Sequence, residues 1–421
     1  MRIMQKLAAI AVLVWRASGQ IAEPVRLPDL IAEALTNNPE VRAAQKSYEA
    51  ARQRPTREGS MPDPTLSLGY SSNGGPLPGQ QLGSNPTSNI GFMVSQEIPY
   101  PGKRKLRGEI AAKDAETEFW QYQAVGLNVR SRLIQAFHRL HHAYAALEIL
   151  THGKGLISEM LRISEARYTV GKTSQQDIFK AQTQLSMMET RIIAMRQDQR
   201  SAEAEINSLL NRKPGTPVGT PVGVEPEPLP MTLENVLLQA ADTSPELGRR
   251  LKAIARGELS VNLAKKEFHS DYTVSAGYFN QGTMSPMYQV RVDIPLRLHT
   301  EQKQRPALNE QVDMLAGARR GYEAAEQNLQ FRVRDAYSAA ETAWRLRTLY
   351  RDTILPQSQL TVDASLLAYQ TGTTDFVFVL NNLITKVDVE EQLHQQELAY
   401  ALALARIEEL TGTAFLDGKN K

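Results

Sequence analysis

The feature that most constrains the fold is the absence of proline between residues 102 and 213. Proline removes a helical hydrogen bond and clashes with the preceding turn, so its absence permits helices far longer than the usual dozen residues. Gly171, with Tyr168 before it and Ser174 after it, fits a helix C-terminus followed by a new N-cap. The stretch therefore predicts a helical hairpin that ascends to about Tyr168 and descends from Ser174 to Asn211. Arms of about 60 residues would be on the order of 90 Å long.

The same pattern occurs twice in the chain. The segment Arg-Tyr-Thr-Val-Gly-Lys-Thr from residue 167 is matched by Ala-Tyr-Gln-Thr-Gly-Thr-Thr from residue 368, and residues 27–40 recur in outline as residues 231–246. A fixed period of this kind indicates a duplicated structural unit. The second hairpin is therefore predicted to turn at Gly372. The same offset places Pro356 opposite Gly155, which predicts a helix break in both hairpins.

The ends of the chain and the segment between the repeats have distinct compositions. Arg2 and Lys6 precede the apolar run at residues 7–15, which is typical of an export signal. Residues 214–230 have a proline or glycine at nearly every second or third position, which predicts a semi-rigid linker. The predicted order is a signal peptide (1–19), a first repeat (20–213, with strand pair 64–99 and helical hairpin 102–212), the linker (214–230), a second repeat (231–412, with strand pair 271–295 and helical hairpin 306–411) and a tail (413–421).

Each repeat contains two segments in which apolar and polar residues alternate, the signature of strands with one apolar face. The apolar positions are Leu66, Leu68 and Tyr70, then Ile90, Phe92 and Val94, then Tyr272, Val274, Ala276 and Tyr278, and finally Tyr288, Val290, Val292 and Ile294. Aromatic strand ends, a polar opposite face and an export signal together favour strands in an outer membrane. Outside the signal, the sequence has no apolar run long enough for a membrane helix.

The strand count has a consequence for assembly. Four strands cannot close a barrel, since about eight is the practical minimum, and open edges in lipid leave backbone groups unpaired. Two chains would supply eight strands and three would supply twelve. Twelve strands leave a passage, whereas eight are filled by side chains, so a conduit favours three chains.

Several patterns suggest other sites, and each has a simpler structural explanation. His138 and His142 have the i, i+4 spacing of a metal-binding pair, but no cysteine or nearby acid completes a ligand set, so a solvated helix surface or tunnel wall is preferred. Methionines such as Met188 and Met195 occupy heptad positions, which favours helix packing over soft-metal binding. We therefore predict no metal site.

Composition excludes other functional classes. The net charge of +2 comes from interspersed residues, so nothing indicates a nucleic-acid partner. The chain has no cysteine and hence no disulfide. No nucleophile–base set, zinc motif or nucleotide motif is present, so we predict neither an enzyme nor a cofactor.

The order of the repeats, the Asn38-Pro39-Glu40 turn and the Tyr-x-x-Gly tips resemble the TolC family of outer-membrane efflux proteins across essentially the whole mature chain. The run Ser-Gln-Glu-Ile-Pro-Tyr-Pro-Gly-Lys-Arg from residue 95 is similar to the strand–helix junction of the heavy-metal (CusC/CzcC-like) branch. The resemblance implies a mainly α chain with a transmembrane β part. Three chains would form a 12-stranded β-barrel, four strands each, continued by a long periplasmic α-helical barrel. The implied partners are two further copies of the chain, outer-membrane lipid, a periplasmic adaptor and an inner-membrane RND pump.

The resemblance also implies where the duct narrows. The candidate aperture residues are Asp177, Tyr369, Asp375, Phe378 and Asn381, and the tips that the resemblance assigns to adaptor contact carry Tyr168, Gly171, Lys172, Gly372 and Thr373. Phe378 and Asn381 stand where the family often has acids, and Thr374 replaces an arginine. Asp375 is a candidate replacement acid.

The function that follows is a passive outer-membrane exit duct of a tripartite pump, for heavy-metal cations. Efflux of drugs or organic solvents and type I protein secretion are alternatives within the same fold. A periplasmic coiled-coil adaptor is an alternative of another class. The duplication and the strands before each hairpin count against it.

Overall fold

The computed structural model of the protein describes residues 24–72, 75–171, 173–223, 225–229 and 231–412. The predicted signal peptide (1–19) and tail (413–421) lie outside these residues. Among the described helices, none is both long and apolar enough to cross a membrane.

The first repeat runs from short helices through two strands to a long helical hairpin. Its elements are α1 (Leu27–Asn37), α2 (Pro39–Ala51), α3 (Arg54–Gly59), β1 (Thr65–Ser71), β2 (Asn89–Ile98), α4 (Lys103–Thr169) and α5 (Gln175–Leu209). Asn38 separates α1 from α2, and its side-chain oxygen accepts from the backbone N–H of Glu40 at 2.8 Å. Helix α4 has 67 residues without a break.

The second repeat has the same order of short helices, strand pair and helical hairpin, without a counterpart of α3. Its elements are α6 (Leu233–Thr243), α7 (Pro245–Lys266), β3 (Tyr272–Asn280), β4 (Met287–Asp293), α8 (Gln304–Leu349), a π-helical turn (Tyr350–Ile354), α9 (Leu355–Gln370) and α10 (Phe376–Thr411). The duplication predicted from the sequence is therefore present in the structure.

Only one of the two predicted helix breaks is present. Pro356 is the second residue of the helix that begins after the π-helical turn, a position consistent with a proline that removes a helical hydrogen bond. The break predicted at Gly155 is wrong, because α4 continues through it. A glycine costs a helix only about 1 kcal/mol relative to alanine. The turns that follow are anchored by Ile157 and Met160 in the apolar core, and Gly153 lets Val387 approach the helix closely.

The four strands form one antiparallel sheet in the order β1-β2-β3-β4. Each repeat supplies one hairpin, and β2 pairs with β3 to join them. The register places Leu68, Phe92 and Tyr278 in one row across three strands. The outer edges of β1 and β4 have no partner strand among the described residues.

The chain divides into two compact units that do not coincide with the repeats. One comprises residues 1–43, 124–244 and 328–421, and the other comprises residues 44–123 and 245–327. The first unit contains both hairpin tips and an apolar core drawn from α4, α5, α9 and α10. In the same unit Val25 forms a β-bridge with Pro221, so the linker pairs with the start of the described chain. The second unit contains the whole sheet.

Candidate functional site

One face of the sheet is a continuous apolar surface. The alternating apolar residues of all four strands share this face, because the register aligns them in rows such as Ala276 with Val290 and Val94. Leu68, Val290 and Tyr288 are 78%, 77% and 76% exposed. Isolated exposed apolar residues are normal, but a surface this extensive marks a membrane or interaction site.

The opposite face of the sheet is polar. Ser95 and Ser275 face each other across β2 and β3, with their hydroxyl oxygens 2.9 Å apart. On β4, Arg291 donates to Asp293 at 2.9 Å. Met93, Phe279 and Met287 are the apolar exceptions on this face. An apolar face opposite a polar face is the arrangement of a strand pair between lipid and water.

The junction between β2 and α4 is organised around a buried lysine. The side chain of Lys103 is fully buried, and its Nζ donates to the Glu267 carboxylate at 2.9 Å, to the His269 carbonyl at 2.9 Å and to the Asp271 carboxylate at 3.1 Å. Two carboxylates and a carbonyl compensate the cost of burying the ammonium group. All three acceptors come from the second repeat. Lys103 therefore joins the two repeats at the base of the sheet.

Other residues of the same junction segment complete this connection. The backbone N–H of Tyr100 donates to Asp271 at 2.6 Å, and its ring stacks on His269 with centroids 4.3 Å apart. Gly102 has a positive φ of 89°, which glycine adopts without strain. A Cβ at Gly102 would lie 3.0 Å from the Lys266 side chain. The conspicuous Pro-Tyr-Pro-Gly-Lys run is thus explained by a fixed turn and a buried charge.

The first tip is stabilised by bonds within its own turn. Gly171, with φ of 74°, ends α4, and Ser174 caps α5. The Asp177 N–H donates to Ser174 Oγ at 3.3 Å, and the Ser174 N–H donates to Asp177 Oδ2 at 3.3 Å. Thr173 Oγ1 donates to the same carboxylate at 2.9 Å. This capping box engages the acid that the resemblance assigned to the aperture.

The second tip has no such box. Gly372, with φ of 76°, ends α9, and Thr373 Oγ1 donates to the Ala368 carbonyl at 3.0 Å. Asp375 occupies the N-cap position of α10, but its side chain makes no capping hydrogen bond. Phe378 is 62% exposed in the first turn of α10. A large apolar side chain therefore stands where the first tip has Asp177.

Tyr369 is the one aperture candidate that is buried. Its side chain packs against Phe376, with ring centroids 6.0 Å apart, in the core of the first unit. The Arg167 guanidinium lies over its ring, 4.1 Å from the centroid, which is cation–π geometry. The Tyr369 hydroxyl is buried and has no hydrogen-bond partner in the part of the chain that the structure describes. Arg167 links the first tip to the second, a role that its sequence motif alone did not indicate.

The remaining predicted residues have simpler surroundings. Tyr168 is 45% exposed, Asn381 is exposed on α10, and Lys172 lies outside the described residues. The structure therefore brings Tyr369 together with Arg167 of the first tip. Asp177 is bonded within its own turn, and Asp375, Phe378 and Asn381 are exposed.

The surroundings of the methionines agree with the sequence prediction better than those of the histidines. Met188 lies in the apolar core, as the heptad pattern predicted. The Nε2 atoms of His138 and His142 are buried and have no hydrogen-bond partner in the described structure, so neither ring is freely solvated. Among the described residues, no group of histidine, aspartate or glutamate side chains is arranged to hold a metal ion.

Solved structures with this architecture are outer-membrane channels. CusC has a TM-score of 0.79 and 18% identity, covering 95% of this chain and 94% of its own. The Campylobacter jejuni channel CmeC has a TM-score of 0.77 and 16% identity, covering 94% of this chain and 87% of its own. The open state of the Neisseria gonorrhoeae channel MtrE has a TM-score of 0.77 and 18% identity, covering 95% of this chain and 92% of its own. These similarities define the class of the fold.

The family follows from the sequence of the first repeat. Residues 30–212 match the model of the outer membrane efflux protein family. This match and the shared fold support the TolC-like family of outer-membrane efflux channels that the repeats and motifs predicted. The predicted fold class and the outer-membrane location, with the helical part in the periplasm, are likewise confirmed. No curated protein matches the chain.

Proposed function

We propose that three copies of this chain form the outer-membrane exit duct of a tripartite efflux pump. The observation that carries the proposal is the four-stranded sheet with one exposed apolar face and two unpaired edges. Each unpaired backbone group in lipid costs several kcal/mol, so the edges of β1 and β4 need strands from other copies. Three sheets give twelve strands and a polar lumen wide enough for solutes.

The duct is passive in this proposal, and transport is driven by the inner-membrane RND pump. The hairpin tips, at Tyr168, Gly171 and Lys172 and at Gly372 and Thr373, are the surfaces for a periplasmic adaptor. The aperture is formed by Asp177, Tyr369, Asp375, Phe378 and Asn381. No step requires catalysis, so the chain is proposed not to be an enzyme.

The proposed cargo is heavy-metal cations. The support is the junction run of the heavy-metal branch, with Tyr100, Gly102 and Lys103 in structural roles, and the similarity to CusC over 95% of the chain. Drug or organic-solvent efflux is the second candidate, and type I protein secretion the third. OprN, described as an outer-membrane channel, has the same TM-score of 0.79 with 16% identity, so the fold alone does not select the cargo.

Two experiments test the proposal separately. Heat-modifiable electrophoresis of membrane fractions should show a trimer in the outer membrane, and a soluble periplasmic monomer would refute the duct. A deletion strain without a substitute channel should lose tolerance to silver, copper, zinc or cobalt while its tolerance to dyes is unchanged. If tolerance to dyes falls instead, the duct stands and the metal cargo is wrong.

A further inference from the structure

Four histidines of the first compact unit form a group between two helices from different repeats. His138, His141 and His142 lie on α4, and His394 lies on α10. The Nε2 atoms of His138 and His142 are buried without a hydrogen-bond partner in the described structure. His394 Nδ1 is 2.9 Å from a Glu397 carboxylate oxygen. Buried polar atoms are normally hydrogen-bonded, so two unpaired imidazole nitrogens in one place need an explanation.

The charges around the group do not favour protonation. Burial lowers the pKa of His138 to about 4, with a smaller contribution from the proximity of His141. Burial and then the proximity of His394 lower the pKa of both His141 and His142. The opposing acids are Glu397 for His141, and Glu391 and Asp198 for His142.

Two of these acids are already neutralised by arginines. Glu397 accepts a hydrogen bond from Arg347 at 3.0 Å, and Glu391 accepts one from Arg191. Burial, followed by the proximity of His394, lowers the pKa of His141 and His142 more than the acids raise it, so the folded arrangement disfavours protonation of both rings.

The linker between the repeats lies against this group. A Cβ at Gly223 would come within 2.7 Å of His141 Nε2, so the linker backbone lies close against the Nε2 edge of the imidazole. Four residues later, the Glu227 carbonyl accepts from the Tyr400 hydroxyl at 2.7 Å. Any outward movement of His141 would therefore displace the linker.

We propose that these histidines form an acid-sensitive seam, which opens locally between α4 and α10 and releases the linker when the surrounding medium acidifies to about pH 5. An imidazole exposed by opening regains its ordinary affinity for protons, so the open arrangement binds more protons than the closed one below about pH 6.5. The closed arrangement is thus fully stable above that pH and loses stability as the pH falls towards 4. The periplasm follows the external medium, so the seam would report external acidity.

The test is hydrogen–deuterium exchange of the full-length channel in detergent micelles, at about pH 7.5 and about pH 5, corrected for the intrinsic exchange rate. The wild type should exchange faster at the lower pH in three places: α4 around His138, α10 around His394, and the linker. His138→Leu keeps an apolar side chain without a titrating group, and should lose most of this increase. His152→Leu is the matched control, because His152 is exposed on the same helix, and it should retain the increase.

The result that overturns the proposal is an equal increase in His138→Leu and the wild type, or no increase in the wild type. If His138→Leu does not assemble, His394→Gln gives the same decision, because it removes the imidazole whose proximity lowers the pKa of His141 and His142. The experiment needs neither cargo nor pump. Its outcome is therefore independent of the proposed function.

Discussion

The two hairpin tips share the pattern Tyr-x-x-Gly but are stabilised in different ways. In the first tip, Tyr168 is 45% exposed, and the turn is closed by the capping box of Ser174 and Asp177. In the second tip, Tyr369 is 9% exposed, and no side-chain bond caps the following helix. A capping box stabilises the helix that follows the first tip, whereas burial of an aromatic ring stabilises the second tip. Duplication thus preserved the turn and allowed its support to diverge.

The difference bears on how a closed aperture could be released. Loss of one side chain breaks a capping box, and this lowers the stability of the helix by about 1 kcal/mol. A buried ring such as Tyr369 couples the second tip to the core and, through Arg167, to the first tip. We therefore expect that loosening of the second tip also moves the first tip.

The largest effect is expected for Tyr369→Ala. Removing a buried aromatic ring typically costs about 3–5 kcal/mol, and here it also removes the cation–π contact with Arg167. Hydrogen exchange in α9 and the first turns of α10 should accelerate strongly, and single-channel conductance should rise. Tyr168→Ala, the equivalent change in the first tip, should alter neither by much because Tyr168 is exposed. Equal effects of the two variants would contradict the contrast between the tips.

A smaller effect is expected for Asp177→Ala. The change removes one half of the capping box, which costs about 1 kcal/mol, and it removes the charge proposed for the aperture. Conductance of the isolated channel should rise. Ser174→Ala separates the two roles, because it breaks the box and keeps the carboxylate. If Ser174→Ala raises conductance as much as Asp177→Ala, the capping role of Asp177 alone explains the effect of its removal.

The two capping positions should differ as well. Ser174→Ala should destabilise the start of α5 by about 1 kcal/mol, whereas Asp375→Ala should be nearly neutral because Asp375 makes no capping bond. Exchange of the first-turn amides in α5 and α10 measures both. A larger loss in α10 would show that Asp375 caps its helix after all.

The smallest effect on stability is expected for Phe378→Asp, which gives the second tip the acid of the first. An exposed substitution should change stability by no more than about 0.5 kcal/mol. Three added carboxylates per trimer at the aperture should, however, increase cation selectivity, measured as a shift in reversal potential across a salt gradient. Phe179→Asp is the control on the first tip, since Phe179 is also exposed. No shift with Phe378→Asp would remove Phe378 from the aperture.

The turns and strands were predictable because local chemistry decides them. Gly171 and Gly372 adopt positive φ at both tips, as a glycine after a long helix indicates. The alternation of Leu66, Leu68 and Tyr70 set the register because a shift by one residue would turn the apolar face over.

The features that were missed depend on packing between distant parts of the chain. The same motif places Tyr168 outside and Tyr369 inside, and no local signal separates them. The acceptors of Lys103 lie more than 160 residues away, so its burial was not visible in the sequence. The break at Gly155 was predicted from its alignment with Pro356, and the core contacts of Ile157 and Met160 that hold α4 together beyond it involve residues distant in the chain.

The π-helical turn at Tyr350–Ile354 has a consequence for the rotational phase of the second arm. The ascending tracts run from Lys103 to Thr169 and from Gln304 to Gln370, the same number of residues in each repeat. A π turn closes with i→i+5 bonds and takes up about one residue more than an α turn, and one residue corresponds to about 100° of rotation. Every side chain beyond Ile354 is therefore rotated relative to its counterpart in α4. We therefore expect this phase shift to contribute to the different exposure of Tyr369 and Tyr168, the two copies of one sequence motif.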